Sequence, residues 1–344
     1  MTEPLVELRG LEKYYSVDSG LLDRLLSREN KYVKAVDGVD LEIQRGETLG
    51  LVGESGCGKS TLGHTLLQLE EATGGEIYYD GERIDTADSD RIRELRKDIQ
   101  LIFQDPASSL NPRRRVRDIV RRPLEVHDIG DSKEERDRRV EELIERVGLS
   151  VDQLDRYPHE FSGGQQQRIG IARALAVDPE FIVADEPVSA LDVSVQAQIL
   201  NLLEELQDEF DLTFLFIAHD LSVVRHISDR VVVMYLGEIM ERGTTTEIFD
   251  QFQHPYTDAL MEAVPDTDVH TSSVQSVLEG EVPSPIDPPS GCKFRTRCPL
   301  ASEECAEPFA DRSFSESHEV HCVKRSPESD AGTKTRVDED ATAD

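Results

Sequence analysis

The 344-residue sequence contains no tryptophan, and aromatic residues make up only 6% of it. It also lacks any run of the roughly 18 consecutive apolar residues that a membrane-spanning helix requires. Residues 1–10 have no apolar core of the kind found in a secretory signal. These absences argue against an integral membrane protein and predict a cytoplasmic chain that reaches a membrane only through partners.

Positive charge is scarce, because 38 lysine and arginine residues face 70 aspartate and glutamate residues, for a formal net charge of -32. So acidic a surface repels phosphate backbones, which argues against nucleic acid as a partner. Most of the basic residues are arginine, and this composition resembles halophilic proteins, in which concentrated cations screen the repulsion. We hypothesise that the fold depends on salt.

The order of segments predicts one large α/β core with an appendage, since a single core rarely exceeds about 250 to 300 residues. Apolar and polar residues alternate over residues 5–11 and 36–43, as in half-buried strands, and residues 16–34 read as an inserted, partly helical loop. Residues 48–52 predict a short apolar strand that leads through a glycine-rich turn into a helix over residues 60–69.

Helical and strand patterns also alternate in the second half of the core. Residues 133–149 have the spacing of an amphipathic helix that is ended by Gly148. Three apolar runs of strand length, residues 181–184, 214–218 and 231–235, are separated by helical patterns. Such runs are typical of a largely parallel sheet that is covered on both faces.

The glycine-rich turn fits the phosphate-loop pattern G-x-x-x-x-G-K-[ST]. The glycines let backbone N–H groups surround a β-phosphate, Lys59 bridges the β- and γ-phosphates, and Ser60 ligates Mg²⁺. The alternative is a glycine-rich turn with a surface lysine, and the flanking strand and helix argue against it. The predicted ATP-binding residues of the loop are Gly53, Glu54, Ser55, Gly56, Cys57, Gly58, Lys59, Ser60 and Thr61.

Two adjacent acids, Asp185 and Glu186, follow the apolar run 181–184. Neighbouring side chains on a strand point in opposite directions. We therefore expect Asp185 to hold the hydration shell of Mg²⁺ and Glu186 to be the catalytic residue that polarises the attacking water. The alternative is a pair of acids that only caps the next helix.

The sequence Phe161-Ser-Gly-Gly-Gln165 lies between these two motifs, and here the chain resembles the ATPases of ABC transporters, whose signature is LSGGQ. Ser162 would cap a helix whose N-terminus can bind a γ-phosphate. The resemblance implies that this contact acts in trans, on ATP held by the facing subunit. The residues so implied are Ser162, Gly163, Gly164 and Gln165.

Four further positions match the family residue by residue. Gln104 resembles the Q-loop glutamine, which implies a contact with the metal ion, and Asp192 resembles the D-loop aspartate. His219 resembles the switch histidine, which implies a catalytic contact with the γ-phosphate. Tyr15 resembles the aromatic residue that stacks on adenine, although it and the adjacent Tyr14 could both belong to the core.

The resemblance implies the α/β fold of a P-loop NTPase of the ABC ATPase type. This fold has a RecA-like parallel sheet core, an N-terminal antiparallel β subdomain and a helical signature subdomain, here with a small Cys-rich C-terminal extension. We assign residues 1–264 to the nucleotide-binding domain, with its helical subdomain at about residues 106–172. Residues 265–325 are assigned to the extension and residues 326–344 to a disordered acidic tail.

Longer strings, at residues 104–113, 157–161, 192–196, 254–256 and 282–286, resemble the ATPases of oligopeptide and dipeptide importers. That branch also includes nickel importers and some archaeal sugar importers, so peptide import is favoured while nickel and oligosaccharides remain open. The resemblance implies a heterodimer with a second ABC ATPase subunit, a paralogue, together with two membrane permeases and an external solute-binding protein. It implies a peripheral location on the cytoplasmic face of the cell membrane.

Other functions have less support. A soluble ABC ATPase of translation or DNA repair usually carries two cassettes or long coiled coils, and the sequence shows neither. A P-loop kinase would not require the signature motif. The arginine-rich residues 113–122 could suggest nucleic acid, but the surrounding negative charge favours a solvated helix face or a docking surface.

Four cysteines in residues 292–322 have the spacing C-x5-C-x6-C-x16-C. Cytoplasmic disulfides are disfavoured, so the spacing predicts a metal site, and in this importer branch the same motif is associated with an iron-sulfur cluster. A [4Fe-4S] cluster is favoured, zinc and free thiols remain open, and His318 and His321 are close enough to substitute as ligands. The fifth cysteine, Cys57, is a small filler rather than a nucleophile. The expected cluster ligands are Cys292, Cys298, Cys305 and Cys322.

Overall fold

The computed structural model describes residues 3–17, 31–262 and 280–327 of the chain. Its strands are β1 (Val6–Ser16), β2 (Tyr32–Ile43), β3 (Thr48–Val52), β4 (Gly74–Tyr79), β5 (Glu82–Arg83), β6 (Ile99–Ile102), β7 (Phe181–Asp185), β8 (Thr213–Ile217), β9 (Arg230–Tyr235), β10 (Glu238–Thr244), β11 (Arg312–Ser313) and β12 (Glu319–Val320). Its α-helices are α1 (Lys59–Leu66), α2 (Ser89–Asp98), α3 (Pro106–Ser109), α4 (Val116–Val126), α5 (Lys133–Arg146), α6 (Gly163–Leu175), α7 (Val193–Phe210), α8 (Leu221–Ile227), α9 (Thr245–Asp250) and α10 (Pro255–Glu262). Short 3-10 helices lie at Val151–Gln153, Pro158–Glu160, Lys293–Thr296 and Glu303–Ala306.

Most of the strands belong to one eight-stranded sheet, in the order β11-β12-β10-β9-β3-β8-β7-β6. The strands from β9 to β6 are parallel, whereas β10, β12 and β11 continue the sheet in antiparallel pairs at one edge. A second sheet, in the order β2-β1-β4-β5, is antiparallel. No helix in the described part of the chain is both long enough and apolar enough to cross a bilayer.

The parallel strands are apolar because both of their faces are buried. In β7, Ile182 and Ala184 pack into an apolar cluster on one face of the sheet, and Phe181 and Val183 pack into a second cluster on the other face. The first cluster includes residues of helices α4 to α8, and the second includes α1 and the antiparallel sheet. The predicted parallel sheet with both faces covered is therefore confirmed.

The predicted core strands agree with the structure to within one residue. The strand predicted over residues 48–52 is β3, and those predicted over residues 181–184, 214–218 and 231–235 are β7, β8 and β9. Their apolar runs locate them well because a strand buried on both faces carries no polar face that would blur its ends.

The two predicted helices end earlier than expected. Helix α1 ends at Leu66 and is followed by Gln68 with a left-handed φ of 53°, and α5 ends at Arg146 and is followed by Gly148 with a φ of 72°. A left-handed residue stops the helical hydrogen bonding. The apolar pattern continues past α5 because Leu149 still packs on the core after the helix has ended.

The loop predicted over residues 16–34 is wrong at both ends. β1 extends to Ser16 and β2 begins at Tyr32, and the two strands pair up to Ser16 opposite Tyr32. The pairing between the strands provides hydrogen-bond partners for the backbone N–H and C=O groups of these residues, which the sequence pattern had placed in a loop. The partly helical character predicted for this loop falls on residues 18–30, which lie outside the described residues.

The C-terminal segment is attached to the main sheet. β12 pairs with β10, so that Glu241 lies opposite Val320, and the cluster on the helical face of the sheet includes Cys292 and Phe294. The sequence predicted an appendage, and the described residues 280–327 instead contribute to the sheet and to its core. The tail predicted over residues 326–344 falls almost entirely outside the described residues.

Candidate active site

The phosphate loop connects β3 to α1, and two of its glycines are required by close backbone contacts. Gly58 has a φ of 111°, and a Cβ built there would lie 2.0 Å from the carbonyl oxygen of Ala35. Gly53 has a φ of 154°, and its Cβ would lie 2.1 Å from the carbonyl oxygen of Met234. A side chain at either position would displace the backbone, so the loop geometry depends on glycine.

The Lys59 side chain folds back over this loop. Its ammonium group donates to the carbonyl oxygens of Gly53, at 2.9 Å, and Glu54, at 3.1 Å. The residue is buried, with 5% of its surface exposed. These carbonyls hold the positive charge over the loop, where a triphosphate would bind.

A cavity of about 600 Å³ opens above the loop and collects most of the residues predicted from the sequence. Its lining includes Tyr15, residues 55–61, Gln104, Glu186 and His219. Several other residues line the cavity without any motif in the sequence to predict them: Val33, Lys34, Ala35, Leu236 and Pro285.

Ser60 and Asp185 meet beside the cavity. The Ser60 hydroxyl donates to Asp185 Oδ1 at 3.0 Å, and His64 Nε2 lies 3.7 Å from Asp185 Oδ2. Burial raises the pKa of Asp185, while the hydrogen bond from Ser60 and the nearby His64 oppose that rise. A hydroxyl and a buried carboxylate are oxygen ligands that suit Mg²⁺, which usually takes one or two protein ligands and completes its shell with water and phosphate.

Glu186 lies just beyond β7 with a left-handed φ of 44°, and its N–H donates to Ile217 O at 2.9 Å. Its Oε2 accepts a hydrogen bond from Gln104 Nε2 at 2.9 Å and lies 3.1 Å from His219 Nδ1. The strand ends at Asp185, so the prediction that strand alternation sets the direction of the Glu186 side chain is wrong. The left-handed backbone after the strand sets that direction instead.

The signature residues begin helix α6. Ser162 is the N-cap, its hydroxyl accepts from the Gln165 N–H at 3.4 Å, and Gln165 Oε1 in turn accepts from the Ser162 N–H at 3.0 Å. Ser162 and Gly163 are exposed, and Gly164 is buried against Val195. Within the described residues the signature motif does not line the cavity of its own chain. It is therefore open to a second molecule.

Hydrogen bonds fix the side chains of Tyr15 and Asp192. Tyr15 is 38% exposed, lines the cavity, and its hydroxyl donates to Glu70. Tyr14 instead donates to Asp37, away from the cavity. Asp192 is the N-cap of α7 and accepts from the Val195 N–H at 3.0 Å. The predicted roles of Tyr15 in stacking and of Asp192 as a D-loop residue stay predictions.

Sequence models of two families match this chain. The ABC transporter family matches residues 36–189, and the family described as the C-terminal region of oligopeptide/dipeptide transporters matches residues 240–305. The chain is 53% identical over 324 residues to the oligopeptide transport ATP-binding protein AppF of Bacillus subtilis, covering 93% of this chain and 97% of that protein. This chain belongs to the oligopeptide/dipeptide family of ABC transporter ATP-binding proteins.

Other relatives support the same assignment. The chain is 50% identical to the oligopeptide transport ATP-binding protein OppF of Salmonella typhimurium, covering 94% of this chain and 97% of that protein. It is 52% identical to the dipeptide transport ATP-binding protein DppF of Haemophilus influenzae, covering 88% and 91%. The family resemblance and the ATP-hydrolysing activity inferred from the motifs are thereby confirmed.

A solved structure supports the ABC ATPase fold. The chain superimposes on the ATP-binding cassette MJ0796, solved as a dimer in a post-hydrolysis state bound to ADP and Pi, with a TM-score of 0.62 and 32% identity. The match covers 70% of this chain and 98% of the cassette. The rest of this chain lies outside the match.

The four cysteines of the C-terminal segment lie near one another, and all are free thiols. Cys292, Cys305 and Cys322 are buried, and burial together with the neighbouring thiols raises the pKa of Cys292 to about 12. No group of three or more His, Cys, Asp or Glu residues in the described part of the chain is arranged to hold a metal ion. The cysteines as described therefore do not form a metal site, and the cluster stays a prediction.

The two histidines considered as substitute ligands have other partners. His318 Nε2 lies 2.7 Å from Glu241 Oε1, and His321 Nδ1 lies 2.5 Å from Asp311 Oδ1. Cys57, in the phosphate loop, is also buried, and burial raises its pKa. A raised pKa disfavours the thiolate, as expected for a filler rather than a nucleophile.

An apolar groove of about 330 Å³ is lined by residues of α1, α2, β6 and α4. Leu69, Phe103 and Val126 line it and are partly exposed. Arg122, from the arginine-rich run, also lines it, while the neighbouring Arg121 is paired with three carboxylates of its own chain. Arg115, Arg117 and Arg122 also pair with carboxylates of the chain. The choice between a solvated helix face and a docking surface stays a prediction.

Proposed function

We propose that this ATPase powers the import of oligopeptides or dipeptides across the cell membrane. The observation that carries the proposal is the convergence of Glu186, Gln104 and His219 at one carboxylate oxygen, beside the Ser60–Asp185 pair. The cargo follows from relatives that are named as oligopeptide and dipeptide transport proteins. None of these relatives is named for nickel or sugar transport, so we favour peptides over those cargoes.

The proposed mechanism uses the residues that surround the cavity. Lys59 and the loop N–H groups bind the β- and γ-phosphates, and Tyr15 stacks on adenine. Glu186 accepts the proton of the attacking water, while Gln104 and His219 orient its carboxylate through their hydrogen bonds to Oε2. Ser60 and Asp185 would hold Mg²⁺, which supplies positive charge to the phosphates.

A second subunit would complete the site. Ser162 and Gly163 are exposed at the start of α6 and do not line the cavity of this chain. We infer that they bind the γ-phosphate of ATP held by a facing ATPase subunit, with Gly164, Gln165 and Asp192 in the same interface. Closure of the two subunits around ATP and reopening after hydrolysis would move the attached permeases.

We also propose the finer architecture that the resemblance implies. The antiparallel sheet forms an N-terminal subdomain, residues 106–172 form a helical signature subdomain, and residues 265–325 form the cysteine-rich extension. The facing subunit is a paralogue, so the ATPase pair is a heterodimer.

We infer that a permease helix binds in the apolar groove beside Phe103, because this exposed apolar surface lies next to Gln104. The resemblance implies two permease subunits. We place the chain on the cytoplasmic face of the membrane, held there by the permeases, and an external solute-binding protein delivers the peptide. Purification with integral membrane proteins would support this arrangement. A chain that purifies only with soluble translation or repair factors would contradict it.

We propose a [4Fe-4S] cluster on Cys292, Cys298, Cys305 and Cys322 from the cysteine spacing; the described arrangement of the thiols does not itself form a metal site. Zinc and free thiols are the alternatives. Anaerobically purified protein is analysed for iron, acid-labile sulfide and zinc. Protein that contains neither iron nor sulfide would contradict the cluster.

The experiment that tests the function reconstitutes the assembled complex in liposomes and measures ATP-dependent uptake of labelled peptides. We expect uptake with ATP that stops when Glu186 is replaced by glutamine. Uptake of nickel or oligosaccharides instead of peptides would overturn the proposed cargo. Hydrolysis that persists in the Glu186→Gln complex would overturn the proposed base.

A further inference from the structure

The C-terminal segment contacts the phosphate loop through the side chain of Glu54. Arg297 donates two hydrogen bonds to the Glu54 carboxylate, from Nη1 at 2.8 Å and from Nη2 at 3.1 Å. Only 5% of the Arg297 side chain and 23% of the Glu54 side chain are exposed. A bidentate, largely buried pair of this kind is both strong and directional.

Aromatic side chains hold this pair in place. Arg297 also bonds the Tyr235 hydroxyl at 3.3 Å, and the Tyr256 hydroxyl accepts from the Glu54 N–H at 2.8 Å. Tyr235 and Tyr256 pack on Phe294, with ring centroids 5.4 and 5.2 Å away. Both the backbone and the side chain of Glu54 are therefore fixed by groups outside the phosphate loop.

The same segment reaches the cavity itself. Pro285 lines the cavity, and its carbonyl oxygen accepts from the Lys34 N–H at 3.0 Å. Lys293 donates to the carbonyl oxygen of Leu236, another lining residue, at 3.0 Å. The segment thus contacts the nucleotide site at three separate points.

We propose that Arg297 is a positioning residue for ATP binding, which holds the Glu54 carboxylate behind the phosphate loop and neutralises its charge there. The proposal rests on the assignment of this loop to ATP. Without Arg297, Glu54 would be a largely buried carboxylate that has lost its guanidinium partner, next to the site that receives a triphosphate. Repulsion and loop movement would both weaken binding.

The test compares Mg·ATP affinities of full-length variants by calorimetry. Arg297→Gln should bind Mg·ATP roughly 10-fold more weakly than wild type, because it leaves Glu54 unpaired. The Glu54→Gln/Arg297→Gln double variant should regain most of the affinity lost in the single Arg297 variant, and Glu54→Gln is measured as the reference for the double variant. Arg295→Gln, two residues earlier in the 3-10 helix Lys293–Thr296, is the matched control and should bind as wild type.

Binding is compared at a temperature at which thermal melting shows Arg297→Gln to be folded, because an unpaired buried carboxylate also lowers stability and its removal would restore both properties. In the assembled complex, Arg297→Gln should raise the KM for ATP and leave kcat at saturating ATP within about 2-fold. The proposal would be overturned if Arg297→Gln bound Mg·ATP as tightly as wild type does, or if the double variant regained no affinity. The assignment of the loop to ATP would still stand in either case, provided that the wild-type chain binds Mg·ATP. A wild-type chain that binds no Mg·ATP would overturn both.

Discussion

The Glu186 carboxylate meets two different side chains at a single oxygen, Oε2, and leaves its other oxygen outside those contacts. A carboxylate fixed in this way is oriented before substrate arrives, which is what a general base requires. The direction of the Glu186 carboxylate depends on a left-handed backbone conformation that no sequence motif predicts. Glu186 could therefore be proposed as the base from the sequence, whereas the orientation of its carboxylate could not be predicted.

We expect Glu186→Gln to lower kcat for ATP hydrolysis by roughly 100-fold or more while ATP binding persists, because the amide keeps the shape but cannot accept the proton. Hydrolysis by the assembled complex and nucleotide binding are measured in parallel. Glu180→Gln is the control, since Glu180 is an exposed carboxylate near the other end of β7 that pairs with Arg45. Equal activity in both variants would contradict the assignment.

His254 offers a pH test of the core around the extension. Burial lowers its pKa from 6.5 to about 3, so the folded chain keeps it neutral while the unfolded chain protonates it below pH 6.5. The unfolded state then binds more protons, and stability must fall as pH decreases through this window. Between pH 7 and 5.5 the loss from this group is roughly 1 kcal/mol.

The measurement is the free energy of unfolding at pH 7 and at pH 5.5, for wild type and for His254→Asn. We expect the variant to lose less stability between the two pH values than wild type does, because it removes the titrating ring. His226→Asn is the control, since His226 is exposed on α8. Equal pH dependence in wild type and His254→Asn would contradict the burial argument.

Among the helices of the fold, α6 begins with signature residues that do not line the nucleotide cavity of the same chain. Its cap resembles that of α5, where Ser132 accepts from the Glu135 N–H at 3.1 Å. Two helices of the same chain thus have serine caps, and only one of them belongs to the signature motif. This similarity provides a matched comparison.

We expect Ser162→Ala and Ser132→Ala to cost similar stability, about 1 kcal/mol each, since each removes one N-cap hydrogen bond. Only Ser162→Ala should impair hydrolysis, and in a heterodimer it should impair the site whose phosphate loop belongs to the other subunit. Stability is followed by thermal melting and hydrolysis in complexes that carry the change in one subunit. A loss confined to the nucleotide on this chain's own loop would contradict the trans arrangement.

At the scale of the whole molecule, a net charge of -32 must be accommodated on the surface of one chain. We expect the melting temperature to rise by several degrees between dilute buffer and molar potassium chloride, because added cations screen the repulsion between carboxylates. Molar sucrose is the control, since it stabilises proteins without screening charge. An unchanged melting temperature in salt would refute the halophilic hypothesis.

Local patterns of the sequence determined the parts of this protein that are local in space. The apolar runs gave β3, β7, β8 and β9, and the phosphate loop, the signature helix and the two acids are each continuous stretches of chain. Their chemistry could be predicted because it depends on residues that are neighbours along the backbone.

Only the tertiary structure decided which distant residues meet these motifs. Arg297 and Glu54 are 243 residues apart, and β12 joins the main sheet through β10 although the sequence suggested a separate appendage. Contacts of this kind depend on how the whole chain packs, and no periodicity or spacing along the sequence encodes them. The sequence thus identified an ATPase, and the packing showed that its C-terminal segment contacts the phosphate loop.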